Sequence, residues 1–140
     1  MNKIAVVYWS MTGNTEAMAR AVAAGAQGAG ADAELIEASG FGPEKLADYS
    51  AIAFGCPAMG DEVLEEEVFD PMFTACEPQL SGKKIALFGS YDWGDGEWMR
   101  LWDERCRTAG AVIACDFVIC NLEPDEDGTA ACEQLGAALA

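Results

Sequence analysis

The chain has 140 residues, half of them apolar, which is the size of one ordinary domain with a core of its own. Its 24 acidic residues outnumber 8 basic ones, and the formal charge of −16 disfavours nucleic acid and anionic lipid, whose binding needs Lys and Arg to neutralise phosphates. The chain has no histidine, which removes Ser-His and Cys-His nucleophile pairs and most transition-metal sites.

The sequence gives no sign of a membrane or secretory segment. No apolar run approaches the roughly 20 residues of a membrane span, and the apolar start from Ile4 to Trp9 is too short for a signal peptide. Six cysteines are scattered without a C-x-x-C pair, which argues against zinc or an iron–sulfur cluster and indicates reduced thiols in the core. We therefore expect a cytoplasmic protein that binds no membrane.

Five apolar segments of strand length recur along the chain at fairly regular spacing. They are residues 3–9, 33–37, 51–55, 84–90 and 112–120. An Ala-rich helix is predicted from Thr15 to about Gly28, whereas residues 40–50 have room for only a turn or two. Continuous apolar strands that alternate with helices predict a parallel sheet covered on both faces. We expect one α/β domain over residues 1–140, with a doubly wound sheet of five strands.

Three further helices are indicated by apolar residues at helical spacing. The third connection carries Val63, Leu64, Val68, Phe69 and Met72, the fourth carries Trp98, Leu101, Trp102 and Cys106, and the last segment carries Cys132, Leu135 and Leu139. Each set predicts one buried helix face. The acidic stretch from Glu123 to Asp127 is expected to be a solvated loop that starts the last helix.

The loop after the first strand joins that strand directly to the first helix. Its residues are Ser10, Met11, Thr12, Gly13, Asn14 and Thr15. Hydroxyls, a carboxamide and backbone N–H groups at the positive end of a helix form a potential anion site. The loop lacks the lysine of a triphosphate loop and the glycines of a dinucleotide loop, so it suits one terminal phosphate without a counter-charge. A simple helix cap is the alternative, since Ser, Thr and Asn favour such positions.

The segment from Tyr8 to Glu16 resembles the phosphate loop of flavodoxins, [ST]-x-T-G-x-T, and the likeness continues along the chain. It is closest to the short-chain, clostridial-type subgroup, because no long insertion interrupts the strand from Val112 to Cys120. The resemblance implies three layers, α/β/α, around a sheet of strand order 2-1-3-4-5. It also implies a monomeric, low-potential one-electron carrier, not an enzyme, whose non-covalently bound FMN cycles between neutral semiquinone and anionic hydroquinone.

The loop after the third strand is similar to the flavodoxin loop at the reactive edge of the flavin. Its candidate binding residues are Pro57, Ala58, Met59, Gly60, Asp61 and Glu62. The resemblance implies that Met59 packs on the inner face of the flavin and that the Gly60–Asp61 peptide turns over on reduction. It also implies that Glu62 faces the flavin imide. Taken alone, this segment is an ordinary Gly-Asp turn before an acidic helix start.

The loop after the fourth strand contributes an aromatic side chain in a glycine-rich segment. Its candidate binding residues are Ser90, Tyr91, Asp92, Trp93, Gly94 and Asp95. Trp93 cannot be buried by helix or strand packing there, so stacking on a flat aromatic ligand is predicted, as in the family. Trp98 is expected in the core, and Tyr91 fits either place.

Asp92 departs from the family subgroup, which usually has glycine at this position. Its backbone N–H can still donate to the flavin if its backbone angles do not require glycine. Its carboxylate either lies near the ring and lowers the second reduction potential, or points to solvent.

The acidic surface favours partner proteins with basic patches, such as low-potential dehydrogenases or reductases, although acidity also serves solubility alone. We expect the acidic loops around Asp61, Glu62 and Asp95 to steer these partners. The alternative is an FMN-dependent quinone or nitro-compound reductase of the same fold, which generally needs a second subunit and a nicotinamide site.

Two other classes of protein lack their required residues. A phospho-acceptor receiver domain needs acidic residues after the first strand, where this chain has Trp9 and Ser10. A low-molecular-weight phosphatase needs an arginine six positions after its cysteine, and Glu62 stands six positions after Cys56.

Overall fold

The computed structural model describes residues 2–140 as a parallel sheet between two layers of helices. The strands are β1 Lys3–Tyr8, β2 Asp32–Glu37, β3 Ala51–Gly55, β4 Lys84–Tyr91, β5 Val112–Ile113 and β6 Val118–Asn121. The α-helices are α1 Asn14–Gly28, α2 Phe69–Cys76, α3 Glu97–Thr108 and α4 Glu126–Leu139. Three short 3-10 segments cover Ala38–Gly40, Pro43–Asp48 and Glu77–Gln79.

The strand order is β2-β1-β3-β4-β5, and β6 also pairs with β4, with all pairs parallel. The predicted fold class and strand order are therefore confirmed. The sequence prediction of one continuous strand from residue 112 to residue 120 was wrong. β5 pairs with the start of β4 and β6 with its end, while residues 115–117 leave the ladder after the Ala114 N–H has donated to the Ile85 carbonyl at 2.9 Å. Exposed Asp116 lies in this gap, and aspartate is disfavoured in strands.

Two apolar clusters occupy the two faces of the sheet. On one face Phe54 of β3, Phe73 of α2 and Trp102 of α3 pack ring edge to ring face. On the other face α1 lies over β1 and β2, and α4 lies over β3, β4 and β6. All five residues of β3 are buried, which is what a continuous apolar strand between two helical layers predicts. Trp98 lies in the core as expected, and its Nε1–H donates to the Cys56 carbonyl at 3.2 Å.

Helix α2 is shorter than the apolar spacing predicted. It begins at Phe69, so Val63 and Leu64 belong to the preceding loop. The reason is a cap that the sequence analysis missed: the buried Glu65 carboxylate accepts the N–H groups of Glu67, Val68 and Phe69 at 2.7 to 2.8 Å. These bonds satisfy the N–H groups of the turn before the helix and of Phe69, its first residue, and so fix where the helix starts.

The segment before β3, the start of α4 and the outer face of α3 complete the fold. The segment from residue 40 to residue 50 forms only 3-10 turns, as predicted. Asp125 in the acidic loop caps α4, because its side chain accepts the Gly128 N–H at 2.7 Å. Leu101 was predicted on the buried face of α3, and that was wrong: it is 56% exposed, because it lies on the solvent side of the helix. No helix in the described part of the chain has the length and apolarity needed to cross a bilayer.

Helices α1 and α4 lie in backbone contact, because each has a glycine where the other approaches. A Cβ atom on Gly136 would lie 1.9 Å from the Val22 carbonyl oxygen, and one on Gly25 would lie 1.9 Å from the Glu133 carbonyl oxygen. Two backbones at this separation leave no room for a side chain. The contact therefore fixes the position of α4 relative to α1.

We predict that Gly136→Ala lowers the free energy of unfolding by about 1–3 kcal/mol, because the methyl group overpacks the contact between the two helices. Urea denaturation of the purified protein measures this change. Gly28→Ala is the matched control, since a Cβ there meets nothing within 4 Å, and alanine there should be neutral or stabilise by up to about 1 kcal/mol. Equal effects of the two substitutions would contradict the close contact.

Candidate functional site

The loops after β1, β3 and β4 surround a cavity of about 200 Å³ at the carboxyl edge of the sheet. Ligands of open α/β sheets bind at this edge, where the strand order reverses. The lining residues are Ser10, Met11, Thr12, Thr15, Pro57, Ala58, Met59, Gly60, Glu62, Ser90, Tyr91, Asp92 and Trp93. The other predicted site residues lie in the same loops but do not line the cavity: Gly13, Asn14, Asp61, Gly94 and Asp95.

The loop after β1 caps helix α1 and also leaves donors free. The Ser10 hydroxyl oxygen accepts the N–H groups of Gly13 and Glu16, each at 3.2 Å. Gly13 has φ of 97°, a conformation that glycine adopts without strain. The N–H groups of Asn14 and Thr15 have no acceptor within residues 2–140. The two interpretations of this loop are thus compatible, because the cap leaves donors at the positive helix end for an anion.

Thr15 links the first helix to the end of β4. Its hydroxyl lies 2.8 Å from the Ser90 hydroxyl and accepts the Ser90 N–H at 3.4 Å. Both side chains are buried, with 1% and 5% of their surface exposed. This bond joins two of the three loops across 75 residues of sequence, so it could not be found by local pattern. Thr15 therefore positions the cavity wall as well as lining it.

The loop after β3 is a closed turn. Met59 and Val63 exchange two backbone hydrogen bonds of 2.8 and 3.0 Å, and Gly60, Asp61 and Glu62 lie between them. Gly60 has φ of 50°, and a Cβ there would meet nothing within 4 Å. Glycine is therefore used at this position for conformational freedom and not for space. The peptide groups inside the turn can rotate without breaking the two bonds that close it.

Glu62 has a buried carboxylate with one oxygen unpaired. Its side chain is 8% exposed, and Oε1 accepts the Asp95 N–H at 2.9 Å. The carboxylate lies directly over Gly94, where a Cβ would be 1.4 Å from Oε1. Oε2 is buried and has no hydrogen-bond partner in the described residues. Leaving such an acceptor unpaired is costly, so this wall of the cavity fits a ligand that brings a donor.

The three acidic residues of the loops predicted to steer partner proteins differ in exposure. The Glu62 side chain is buried and is held inside the site by the Asp95 N–H. Asp61 and Asp95 are exposed, as expected, but the Asp95 carboxylate pairs with Arg100 at 3.0 Å.

Two large apolar side chains at the cavity are exposed to solvent. Trp93 is 60% exposed and Met11 is 66% exposed, and both line the cavity. Tyr91 is half-buried, lines the cavity and also packs on Trp98 with ring centroids 5.6 Å apart. Asp92 is exposed, and its φ lies outside the left-handed region, which only Glu62 and Leu122 enter among the non-glycine residues 2–140. The backbone at Asp92 therefore does not require glycine.

The end of β6 holds the loop after β4, which the sequence analysis did not foresee. The Asn121 side-chain amide donates to the carbonyls of Tyr91 and Asp92 at 3.2 and 3.3 Å. The Leu122 N–H donates to the same Tyr91 carbonyl at 2.8 Å. A carboxamide at the carboxyl end of a strand, on the ligand-binding edge, is the signal that could have identified Asn121.

The structure describes all the residues that line the cavity, and no Lys or Arg is among them. The nearby Arg20 pairs with Glu16 at 2.7 Å. An anion in this cavity must therefore be held by N–H and O–H groups alone. Burial raises the pKa of the Cys56 thiol beneath the loop after β3, so this cysteine does not serve as a nucleophile. Residues 2–140 contain no cluster of side chains that could hold a metal ion.

Comparison with known proteins agrees with this geometry over nearly the whole chain. The flavodoxin family model matches residues 6–136. The chain is 44% identical over 137 residues to a flavodoxin of Megasphaera elsdenii, covering 98% of each chain. It is 47% identical over 121 residues to a flavodoxin of Clostridium beijerinckii, covering 86% of this chain and 88% of the relative. The solution structure of two-electron reduced Megasphaera elsdenii flavodoxin matches with a TM-score of 0.90, covering 97% of both chains.

We predict that Thr15→Val lowers the free energy of unfolding by about 1–3 kcal/mol, because the buried Ser90 N–H and hydroxyl lose their partner while the side-chain shape is kept. Urea denaturation measures the change. Thr108→Val is the matched control, since Thr108 is exposed near the end of α3, and it should be almost neutral. If the two variants lose the same stability, the hydroxyl link does not support the site.

Proposed function

The chain belongs to the flavodoxin family, and on that premise we propose which of its residues hold and tune the cofactor. It is an FMN-binding electron-transfer protein and not an enzyme, and the alternative of a reductase is not favoured. Bound FMN supplies the transfer of electrons one at a time. The observation that carries the assignment of the site is the unpaired, buried Glu62 oxygen in the wall of the cavity.

The loop after β1 would hold the phosphate. Asn14 and Thr15 offer unpaired N–H groups at the positive end of α1, and Thr12 adds an exposed hydroxyl. Ser10 keeps this loop in shape through its two backbone bonds. Because no cation lines the cavity, the phosphate would be bound by neutral donors without a counter-charge.

Met59 and Trp93 would cover the two faces of the flavin. Trp93 leaves most of its indole in solvent, and a flat aromatic ring stacked on it would remove that apolar surface from water. Met59 lines the cavity from the loop after β3 and is held by its two backbone bonds with Val63. A thioether makes favourable contacts with aromatic rings. Apolar cover on both sides lowers the local polarity and strengthens every charge interaction in the site.

Glu62 would accept the N–H of the flavin imide with its unpaired Oε2, while the Asp95 N–H keeps the carboxylate in place. A fixed negative group beside the flavin opposes the addition of negative charge, so the carrier would work at low potential. The Gly60–Asp61 peptide would respond to reduction by turning its carbonyl towards the cavity. The open space at Gly60 and the closed ends of the turn support this movement.

Asp92 would donate its backbone N–H to the flavin, since its backbone angles are those of an ordinary residue. Asn121 supports this role, because its amide holds the carbonyls on either side of that N–H. The Asp92 carboxylate is exposed, so solvent screens its effect on the potential.

Flavodoxins are redox carriers that work with partner proteins. We propose partners with basic patches, low-potential dehydrogenases or reductases, steered by exposed acids such as Asp61 in the loop after β3 and Glu97 at the start of α3. Asp95 contributes less, because Arg100 neutralises it. We further propose a monomer in the cytoplasm, and the six free thiols support a reducing compartment.

We predict that Glu62→Gln raises the potential of the second one-electron reduction by about 59 mV or more, the shift that a tenfold change in equilibrium gives. The amide removes the negative charge but keeps the shape of the side chain. Anaerobic potentiometry with visible absorption measures the shift. Glu104→Gln is the control, since it makes the same charge change on an exposed residue outside the cavity. A shift of the same size in both variants would mean that Glu62 affects the potential only through the overall charge of the protein.

Salt should strengthen FMN binding by a few-fold between about 0.05 and 0.5 M NaCl, because a chain of charge −16 repels the phosphate and no cation in the cavity compensates. Fluorescence titration of the apoprotein gives the Kd. Riboflavin, which lacks the phosphate, is the matched ligand control and should show little salt dependence. Weaker FMN binding at high salt would reveal a cationic phosphate site and contradict the assignment.

A further inference from the structure

A second cavity, of about 200 Å³, is bounded by the loop after β3 and by helices α2 and α3, and we call it the α3 cavity. Val63 and Leu101 line it, and their side chains are 41% and 56% exposed. Glu62 lines both this cavity and the proposed FMN cavity, so the two share a wall. Single exposed apolar side chains are ordinary, but here two of them line one concave surface.

The wall of the α3 cavity contains a buried donor without an acceptor. Trp102 lines the cavity and is 2% exposed, and its Nε1–H has no hydrogen-bond partner in residues 2–140. Edge-to-face contacts with Phe69 and Phe73, at 5.4 and 5.6 Å between ring centroids, hold the indole in place. The neighbouring Trp98 differs, because its Nε1–H donates to the Cys56 carbonyl. A buried unpaired N–H is costly, so this wall favours an occupant that brings an acceptor.

The charges around the α3 cavity are negative on balance. Arg105 is the one cation among its lining residues, all of which the structure describes, and it pairs with Asp70 at 3.0 Å and with Glu77 at 2.8 Å. One cation between two carboxylates leaves this group with a net negative charge. Two exposed acids, Asp61 and Glu97, each stand directly before a lining residue in the chain. The rim of the cavity therefore attracts positively charged groups.

We propose that the α3 cavity receives an apolar side chain of a partner protein, that Lys or Arg residues on either side of this side chain meet the acidic rim, and that a partner carbonyl accepts the Trp102 N–H. An apolar centre inside a charged rim is the common arrangement of a binding hot spot. The shared wall at Glu62 places the docked partner next to the proposed cofactor. That this partner is a redox protein rests on the proposed function, whereas the chemistry of the cavity does not.

Two peptides that differ in one side chain test the proposal: acetyl-Lys-Lys-Leu-Lys-Lys-amide and the same peptide with alanine in place of leucine. Each is titrated into the isotopically labelled full chain with oxidised FMN bound, and the assigned indole N–H signals are followed by NMR. We expect the leucine peptide to bind with a Kd at least about fivefold lower than the alanine peptide, because it buries more apolar surface. It should also move the Trp102 signal downfield, as a new hydrogen bond does.

Three controls separate the apolar contact from the charge. Leu101→Ala should reduce the preference for the leucine peptide to less than about twofold, since the cavity loses part of its apolar wall. Leu35→Ala is the matched variant, because Leu35 is also exposed but lies in β2, and it should keep the preference. A peptide with glutamate in place of all four lysines should not bind, because the acidic rim repels it.

Equal Kd values for the leucine and alanine peptides, or a preference that survives Leu101→Ala, overturn the α3 cavity as a docking site. Equally tight binding of the glutamate peptide overturns the basic partner. A Trp102 signal that stays in place while the leucine peptide binds overturns the role of its N–H, and one that moves with protein concentration alone makes a second copy of this chain the occupant. A chain whose visible absorption shows no uptake of FMN refutes the proposed function, and the same titration of that chain still tests the cavity.

Discussion

Parallel pairing of β1, β3 and β4 is the constraint on which the rest of this molecule depends. Tyr8 pairs with Gly55 and Gly55 with Phe88, so β1 and β3 end level, β4 continues to Tyr91, and all three strands send their loops to one edge of the sheet. The Phe88 ring lies where a Cβ of Gly55 would be, and this close fit keeps β3 and β4 in register. Residues that are far apart in sequence meet at this edge, and the Thr15–Ser90 hydroxyl pair fastens two of the loops together.

The site combines neutral donors for an anion with a buried carboxylate that lacks a partner. The chain has eight Lys and Arg residues, and none of them lines the cavity. Five of these cations pair with carboxylates elsewhere: Lys3, Arg20, Arg100, Arg105 and Arg107. On the proposed assignment, a cavity without positive charge would bind the phosphate through geometry and at the same time oppose extra negative charge on the ring beside it. One arrangement would then account for cofactor binding and for a low working potential.

The features that the sequence could predict are those that depend on residues close together in the chain. The loop from Ser10 to Thr15 joins a strand and a helix directly, so six residues were enough to predict the helix cap that the structure shows and an anion site that stays a prediction. Continuous apolar strands predicted the parallel sheet, because burial on both faces removes the polar alternation. Trp93 and Trp98 were separated correctly, since one lies in a glycine-rich loop and the other in a helix.

Features that depend on distant contacts could not be predicted. The burial of Glu62 requires the Asp95 N–H and the lack of a side chain at Gly94, and both residues belong to another loop. Glu65 resembles its exposed acidic neighbours in sequence, and only the fold shows that it caps α2. A crystal structure of the FMN-bound protein tests most directly whether Glu62 holds the flavin. We expect the flavin imide N–H within hydrogen-bond distance of Glu62 Oε2, and a Glu62 oxygen that stays unpaired beside bound FMN would show that it does not.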